Sequence, residues 1–148
     1  MDVERIAAKY ALGDLPLEHL PDVAADALEA GYDPPSLRRL AGSHGGDREE
    51  MRRTFEKTLR ELGVRIPSQQ EAVLSVARDI AQSVLEGQIA PSEAAKRIWW
   101  DLYVRFGQPE QLRPFVGFAS EYEDRPKHRD EYARLIIEEC ERILRDTN

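Results

Sequence analysis

Residues 68–87 read SQQEAVLSVARDIAQSVLEG, and this stretch decides the fold class. Ser68 stands three positions before Glu71, the reciprocal spacing of a capping box. Behind it Val73, Leu74, Val76, Ala77, Ile80, Ala81, Val84 and Leu85 recur at three- and four-residue steps until Gly87. At about 100° per residue they cover about half the helix circumference. So broad an apolar stripe requires neighbours on more than one side. The stretch therefore reads as a central helix from Gln69 to Leu85, with Ile80 inside.

The flanking sequence follows the same period. Val3, Ile6, Ala7 and Tyr10 form a short first helix closed by Gly13. Pro21 sits at a first helical position ahead of Val23, Ala24, Ala27 and Leu28, and Asp33-Pro34 precedes a short helical turn with Leu37 and Leu40. Asp47, three residues before Glu50, opens a helix with Met51, Phe55, Leu59 and Leu62 inward. Downstream, Pro91-Ser92 starts a helix to about Phe106, Leu112 to Tyr122 forms a shorter one, and Lys127 to Arg145 the last. Val64-Arg65-Ile66 is the best strand candidate, and Pro67 ends it after three residues. The expectation is an all-α, single-domain bundle of about six or seven short to medium helices spanning residues 1–148.

At 148 residues the chain suffices for one hydrophobic core without a metal or disulfide staple. Its 41% hydrophobic and 33% charged composition is that of a soluble globular protein and not of a disordered one. No apolar run approaches the roughly 20 residues of a membrane span, and Met1-Asp2-Val3-Glu4-Arg5 has no secretory hydrophobic region. With Cys140 the single cysteine, a reducing, cytoplasmic setting is expected. The net charge of −7 repels phosphate backbones, so neither nucleic acid nor membrane is expected as a partner. The charge is uneven: residues 1–33 hold eight acids against two bases, and residues 34–65 eight bases against five acids.

Chemistry-bearing residues are scattered. His19, His44 and His128 lie far apart with no second ligand at helical spacing, so no metal and no other cofactor is expected. Cys140, between Ile136 and Ile143, reads as a buried thiol and a poor nucleophile. The loop Ser43-His44-Gly45-Gly46-Asp47 precedes a helix, but it lacks the lysine of a phosphate loop and Asp47 occupies the cap. Glu121, Glu123 and Asp124 are followed by Arg125, Lys127 and Arg129, and Glu138, Glu139 and Glu141 face Arg134, Arg142 and Arg145 at pairing distance. Both acidic groups read as charge-compensated surface. The basic run Arg48, Arg52, Arg53, Lys57 and Arg60 should be neutralised by Glu49–Arg53 and Glu56–Arg60 pairs. No catalytic constellation emerges, which points away from an enzyme.

One segment does not reduce to core and solvated face. In Ile98-Trp99-Trp100-Asp101-Leu102-Tyr103-Val104, the inner face of an α-helix would be Ala95, Trp99, Leu102 and Phe106. Trp100 then lies 100° away from Trp99 and Val104 almost opposite the core, with Tyr103 between the faces. Trp100, Tyr103 and Val104, rimmed by Lys96 and Arg97, form the candidate partner-binding surface, unless the helix is sandwiched on two sides.

The stretch Ile98-Trp99-Trp100, then Phe115-Val116-Gly117-Phe118-Ala119-Ser120-Glu121-Tyr122-Glu123-Asp124, with Leu37-Arg38-Arg39-Leu40-Ala41-Gly42 upstream, resembles small all-helical proteins common in actinobacteria. The resemblance covers most of the chain and implies a bacterial, cytoplasmic setting. It implies no activity, cofactor or site residue. The function expected is a non-enzymatic protein-interaction module, an adaptor or regulator, or an immunity-type protein whose acidic residues 1–33 meet a basic partner. The other expectation is a small enzyme or ligand-binding protein with a carboxylate-lined pocket between helices, using Glu121, Asp124 or His44.

Overall fold

Helix follows helix through the computed structural model, which describes residues 2–146 and contains no strand among them. The elements are α1 (Val3–Ala11), α2 (Leu20–Glu29), α3 (Pro35–Ala41), α4 (Arg48–Glu61), α5 (Gln69–Leu85), α6 (Pro91–Arg97), α7 (Arg113–Asp124) and α8 (Arg129–Arg145). Short 3₁₀ turns at Leu17–His19, Glu110–Leu112 and Pro126–His128 lead into α2, α7 and α8. The eight helices among the described residues are slightly more than the six or seven expected. The difference lies in segments such as α3, which is only seven residues long yet packs on both α2 and α4.

Two compact units compose the chain, Met1–Ala72 and Val73–Asn148. In the first, α3 lies beside α2 and α4 over a core of Leu20, Ala24, Leu37, Leu40, Phe55 and Leu59. Val3, Ile6 and Tyr10 of α1 pack on that core, Tyr10 with its ring 4.8 Å from Phe55. The N-terminus of α3 has prolines where a capping side chain would stand, and Glu61 supplies the cap from the end of α4. Its carboxylate accepts the Ser36 N–H at 2.9 Å and the Ser36 hydroxyl at 3.0 Å. In the second unit, α7 packs against α6 and α8, and Ile98, Phe115, Ile136 and Cys140 are fully buried.

The helix starts read from sequence hold in detail at Ser68. Glu71 N–H donates to Ser68 Oγ at 3.1 Å and Ser68 N–H to Glu71 Oε1 at 3.3 Å, closing the reciprocal box. Asp47 instead closes its cap on the Glu49 N–H at 2.9 Å, one residue short of Glu50. Helix ends use the left-handed closure: Gly63 has φ +73°, and Val64 N–H reaches back to Leu59 C=O at 2.9 Å. The segment Val64-Arg65-Ile66 that follows is not a strand, because one three-residue run has no ladder to join.

The core positions of α5 differ from expectation. Ala72, Val73, Ala77, Ala81 and Val84 are buried, whereas Leu74, Val76 and Ile80 are only half-buried and Leu85 is 42% exposed. The small residues of the stripe occupy the inner face, and Ile80 is not the deepest. Glu139 departs in the opposite direction. It is 8% exposed rather than on the surface, held by the Arg142 guanidinium, which also bonds Asp146 and the Gln111 carbonyl.

Candidate functional site

Trp100, Tyr103 and Val104 do not lie on an α-helix. From Ile98 to Val104 the chain runs as a seven-residue π-helix that continues α6 without a break. Its i→i+5 bonding widens the turn beyond 3.6 residues, so angles projected at 100° per residue fail there. Ile98 and Leu102 take the inner face below Ala94 and Ala95, while Trp99 and Phe106 are half-buried. This corrects the expectation that Trp99 and Phe106 are core residues.

The two indoles stack, with ring centroids 4.6 Å apart and planes 16° from parallel. Adjacent residues of an α-helix diverge and do not face each other. Trp100 is 53% exposed and Val104 45% exposed; Tyr103 is half-buried. Lys96 and Arg97 are exposed on α6, each drawn to an acid: Lys96 Nζ lies 3.6 Å from Glu123 and Arg97 Nε 3.5 Å from Glu93. Trp99 was the contributor missed by helical projection, because no residue-level signal marks the start of the wider turn.

The exit from the π-helix is strained. Gly107 has φ +83° and Gln108 φ +57°, the one non-glycine residue with positive φ among those described. Gln108 N–H closes back on Tyr103 C=O at 2.8 Å, an i→i+5 bond. Pro109 follows directly, and proline disfavours helical conformations in the residue before it. Together, a π-helical turn, a strained exit and an exposed stacked aromatic pair concentrate in eleven residues, 98–108. Such departures from regular geometry gather at functional positions.

Beside α6 runs a groove of about 310 Å³, lined by Ser92, Glu93 and Lys96, by Ala119, Tyr122 and Glu123 of α7, and by Arg129. Arg129 lies 5.1 Å from the centre of the Tyr122 ring and donates to the Tyr122 carbonyl at 3.3 Å. Two carboxylates and two cations thus line one groove, with no buried acid among them. The acids expected in a pocket go elsewhere. Glu121 is held by Arg125 at 2.6 Å and accepts from the Tyr132 hydroxyl at 3.4 Å. Asp124 does not line the groove, and His44 in the first unit faces Asp22 at 3.2 Å.

The remaining candidates are quickly placed. Cys140 is fully buried, and desolvation, with smaller contributions from Glu139 and Glu141, pushes its thiol up to about 12. The loop before α4 closes on itself through the Ser43 hydroxyl to Leu40 C=O at 2.6 Å and Gly46 N–H to Ser43 C=O at 2.9 Å. Among the described residues no three His, Cys, Asp or Glu side chains converge on a possible metal position. No helix is long and apolar enough to cross a membrane among those residues. The expected neutralisation of α4 is not observed: Glu49 pairs with Arg52 at 2.5 Å, and Arg53, Lys57 and Arg60 form no ion pair among the described residues. No protein-family model, curated protein or solved structure matches the chain.

Proposed function

We propose that this chain is a non-enzymatic protein-interaction module whose partner surface comprises Trp100, Tyr103, Val104, Lys96 and Arg97, with Trp99 as the platform beneath Trp100. The observation that carries the reading is the stacked tryptophan pair, its outer ring 53% exposed beside a 45% exposed valine. Exposing an indole to water is unfavourable, and tryptophan, tyrosine and arginine dominate binding energy at protein interfaces. Stacking on Trp99 restricts the Trp100 rotamer in advance, which lowers the entropy lost when a partner covers it. An adaptor or regulator acting inside a bacterial cell fits this reading, and an immunity-type protein is its narrower form. The test compares wild-type protein with Trp100→Ala and Trp100→Phe as baits in lysate of the source cell. A partner retained by wild type, weakened by the phenylalanine and lost with the alanine supports the reading. Equal capture by all three removes it.

A second reading rests on the groove between α6 and α7. Glu93, Glu123, Lys96 and Arg129 offer both charges to a small zwitterionic ligand, with Tyr122 as an apolar wall. Saturable binding of an amino acid or small peptide, abolished by Lys96→Ala and Arg129→Ala but not by Trp100→Ala, favours this reading over the first.

A further inference from the structure

Two helices of the first unit carry opposite charge on ridges of identical spacing. On α2, Asp22, Asp26 and Glu29 follow one another at four and three residues. On α4, Arg53, Lys57 and Arg60 repeat that spacing. At 100° per residue each trio falls within about 60° of arc, one ridge about 10 Å long. On α2 the buried Leu20, Ala24 and Ala27, and on α4 the buried Met51, Phe55, Thr58 and Leu59, lie on the far side of the helix from the ridge, while the buried Pro21 and Thr54 flank it. All six charged residues are exposed.

Neither ridge is closed by ion pairs among the described residues, although Glu49, Glu50, Glu56 and Glu61 stand near the cations of α4. Arg53, Lys57, Arg60, Asp26 and Glu29 form no ion pair among the described residues, and Asp22 meets only His44, at 3.2 Å. Glu49 and Glu56 stand at i−4 to Arg53 and Arg60, but Glu49 pairs with Arg52 and Glu56 forms no ion pair among the described residues.

We propose that the acidic ridge of α2 docks on the basic ridge of α4 in a second copy of this chain. The two exposed ridges of one chain are opposite in charge, and that complementarity is the ground for a second copy as the occupant. In parallel alignment Asp22, Asp26 and Glu29 fall opposite Arg53, Lys57 and Arg60 without a shift in register. A nucleic acid would meet the basic ridge but would leave the acidic ridge unexplained. Exposed ion pairs are individually weak and screened by salt, so the association is a low-affinity, salt-sensitive one. It uses residues other than the tryptophan pair and does not depend on the function proposed for that pair.

The test is sedimentation velocity over a concentration series at about 20 mM and about 500 mM salt, where the screening length falls severalfold. Wild type should associate at low salt and revert to monomer at high salt. The triple variants Asp22→Lys/Asp26→Lys/Glu29→Lys and Arg53→Glu/Lys57→Glu/Arg60→Glu, checked for helicity by circular dichroism, should each be monomeric alone. Mixed in equal amounts they should associate again, because every ridge of one then meets its complement on the other. If a triple variant fails to fold, the single changes Lys57→Glu and Asp26→Lys serve in its place, each expected to weaken association about tenfold and to compensate each other in the mixture. Wild type that stays monomeric at low salt overturns the proposal. So does association that both charge reversals leave intact, or a basic ridge that binds a double-stranded DNA oligonucleotide while the protein remains monomeric.

Discussion

Trp99 and Trp100 are adjacent in sequence and differ in what surrounds them, and the difference sets the size of two substitutions. Trp99 is half-buried, so Trp99→Ala should cost about 2 kcal/mol, less than the 3–5 kcal/mol of a full core deletion. Trp100→Ala loses the stacking contact and little else, about 1 kcal/mol. Thermal melts separate the two, and equal destabilisation would place both rings in the same environment. Gln108 offers a change in the other direction. Its φ of +57° is a conformation that glycine adopts without strain, so Gln108→Gly should stabilise the protein by about 1 kcal/mol in a denaturant melt. Cys140 is the simplest residue to read, since its apolar neighbours in the sequence already placed it inside. With its thiol pushed up to about 12, it should resist maleimide at neutral pH in the native protein and react on unfolding. Because burial raises this acid above its usual 9.0, the stability it contributes is complete below pH 9 and declines as pH rises toward 12.

At the scale of elements, local signals carried far and failed where bonding partners are remote. Ser68, Glu71 and the glycine stops are written in the sequence because each acts within a few residues of itself. Glu61 as the cap of α3 was not legible, since its partner Ser36 is twenty-five residues away. Removing it in Glu61→Ala should cost about 1 kcal/mol, the usual worth of a helix cap, with Glu61→Gln milder. The box at Ser68 has a third member, also invisible to pattern: Arg65 grips both oxygens of Glu71, at 3.4 and 2.5 Å. The Arg65 guanidinium, with the Ser68 N–H and hydroxyl, holds the Glu71 carboxyl down at about 2. A lowered acid contributes stability above its usual 4.5 and loses it as pH falls through 2. The Tm difference between wild type and Glu71→Gln should therefore hold steady above pH 4.5 and close as pH is lowered to 2. A constant difference across that interval would mean that the carboxylate is not held by Arg65 in solution. The π-helix is the element that pattern misread, because its apolar spacing at Ile98 and Leu102 is also compatible with an α-helix.

For the whole molecule, the all-α class was readable from a chain that shows the 3.6-residue period almost everywhere and the two-residue period nowhere for long. Depth within the core was less readable. A half-circumference stripe on α5 identifies what can be buried, but not how deeply: Val73, Ala77 and Ala81 are buried, whereas Ile80 is only half-buried. The proposed interaction surfaces were legible only as exceptions, an extra tryptophan and an uneven charge distribution, and their geometry required the fold. Exposed Trp100 and Val104 are large apolar side chains that the chain leaves in water, the central reason to read it as a partner-binding protein. The most direct measurement is quantitative capture from source-cell lysate on wild-type and Trp100→Ala baits of matched stability. The account predicts a specifically retained protein whose affinity falls about 30-fold, equivalent to roughly 2 kcal/mol, in the variant. An unchanged capture profile, with Trp100→Ala folded and within about 1 kcal/mol of wild type, would contradict it.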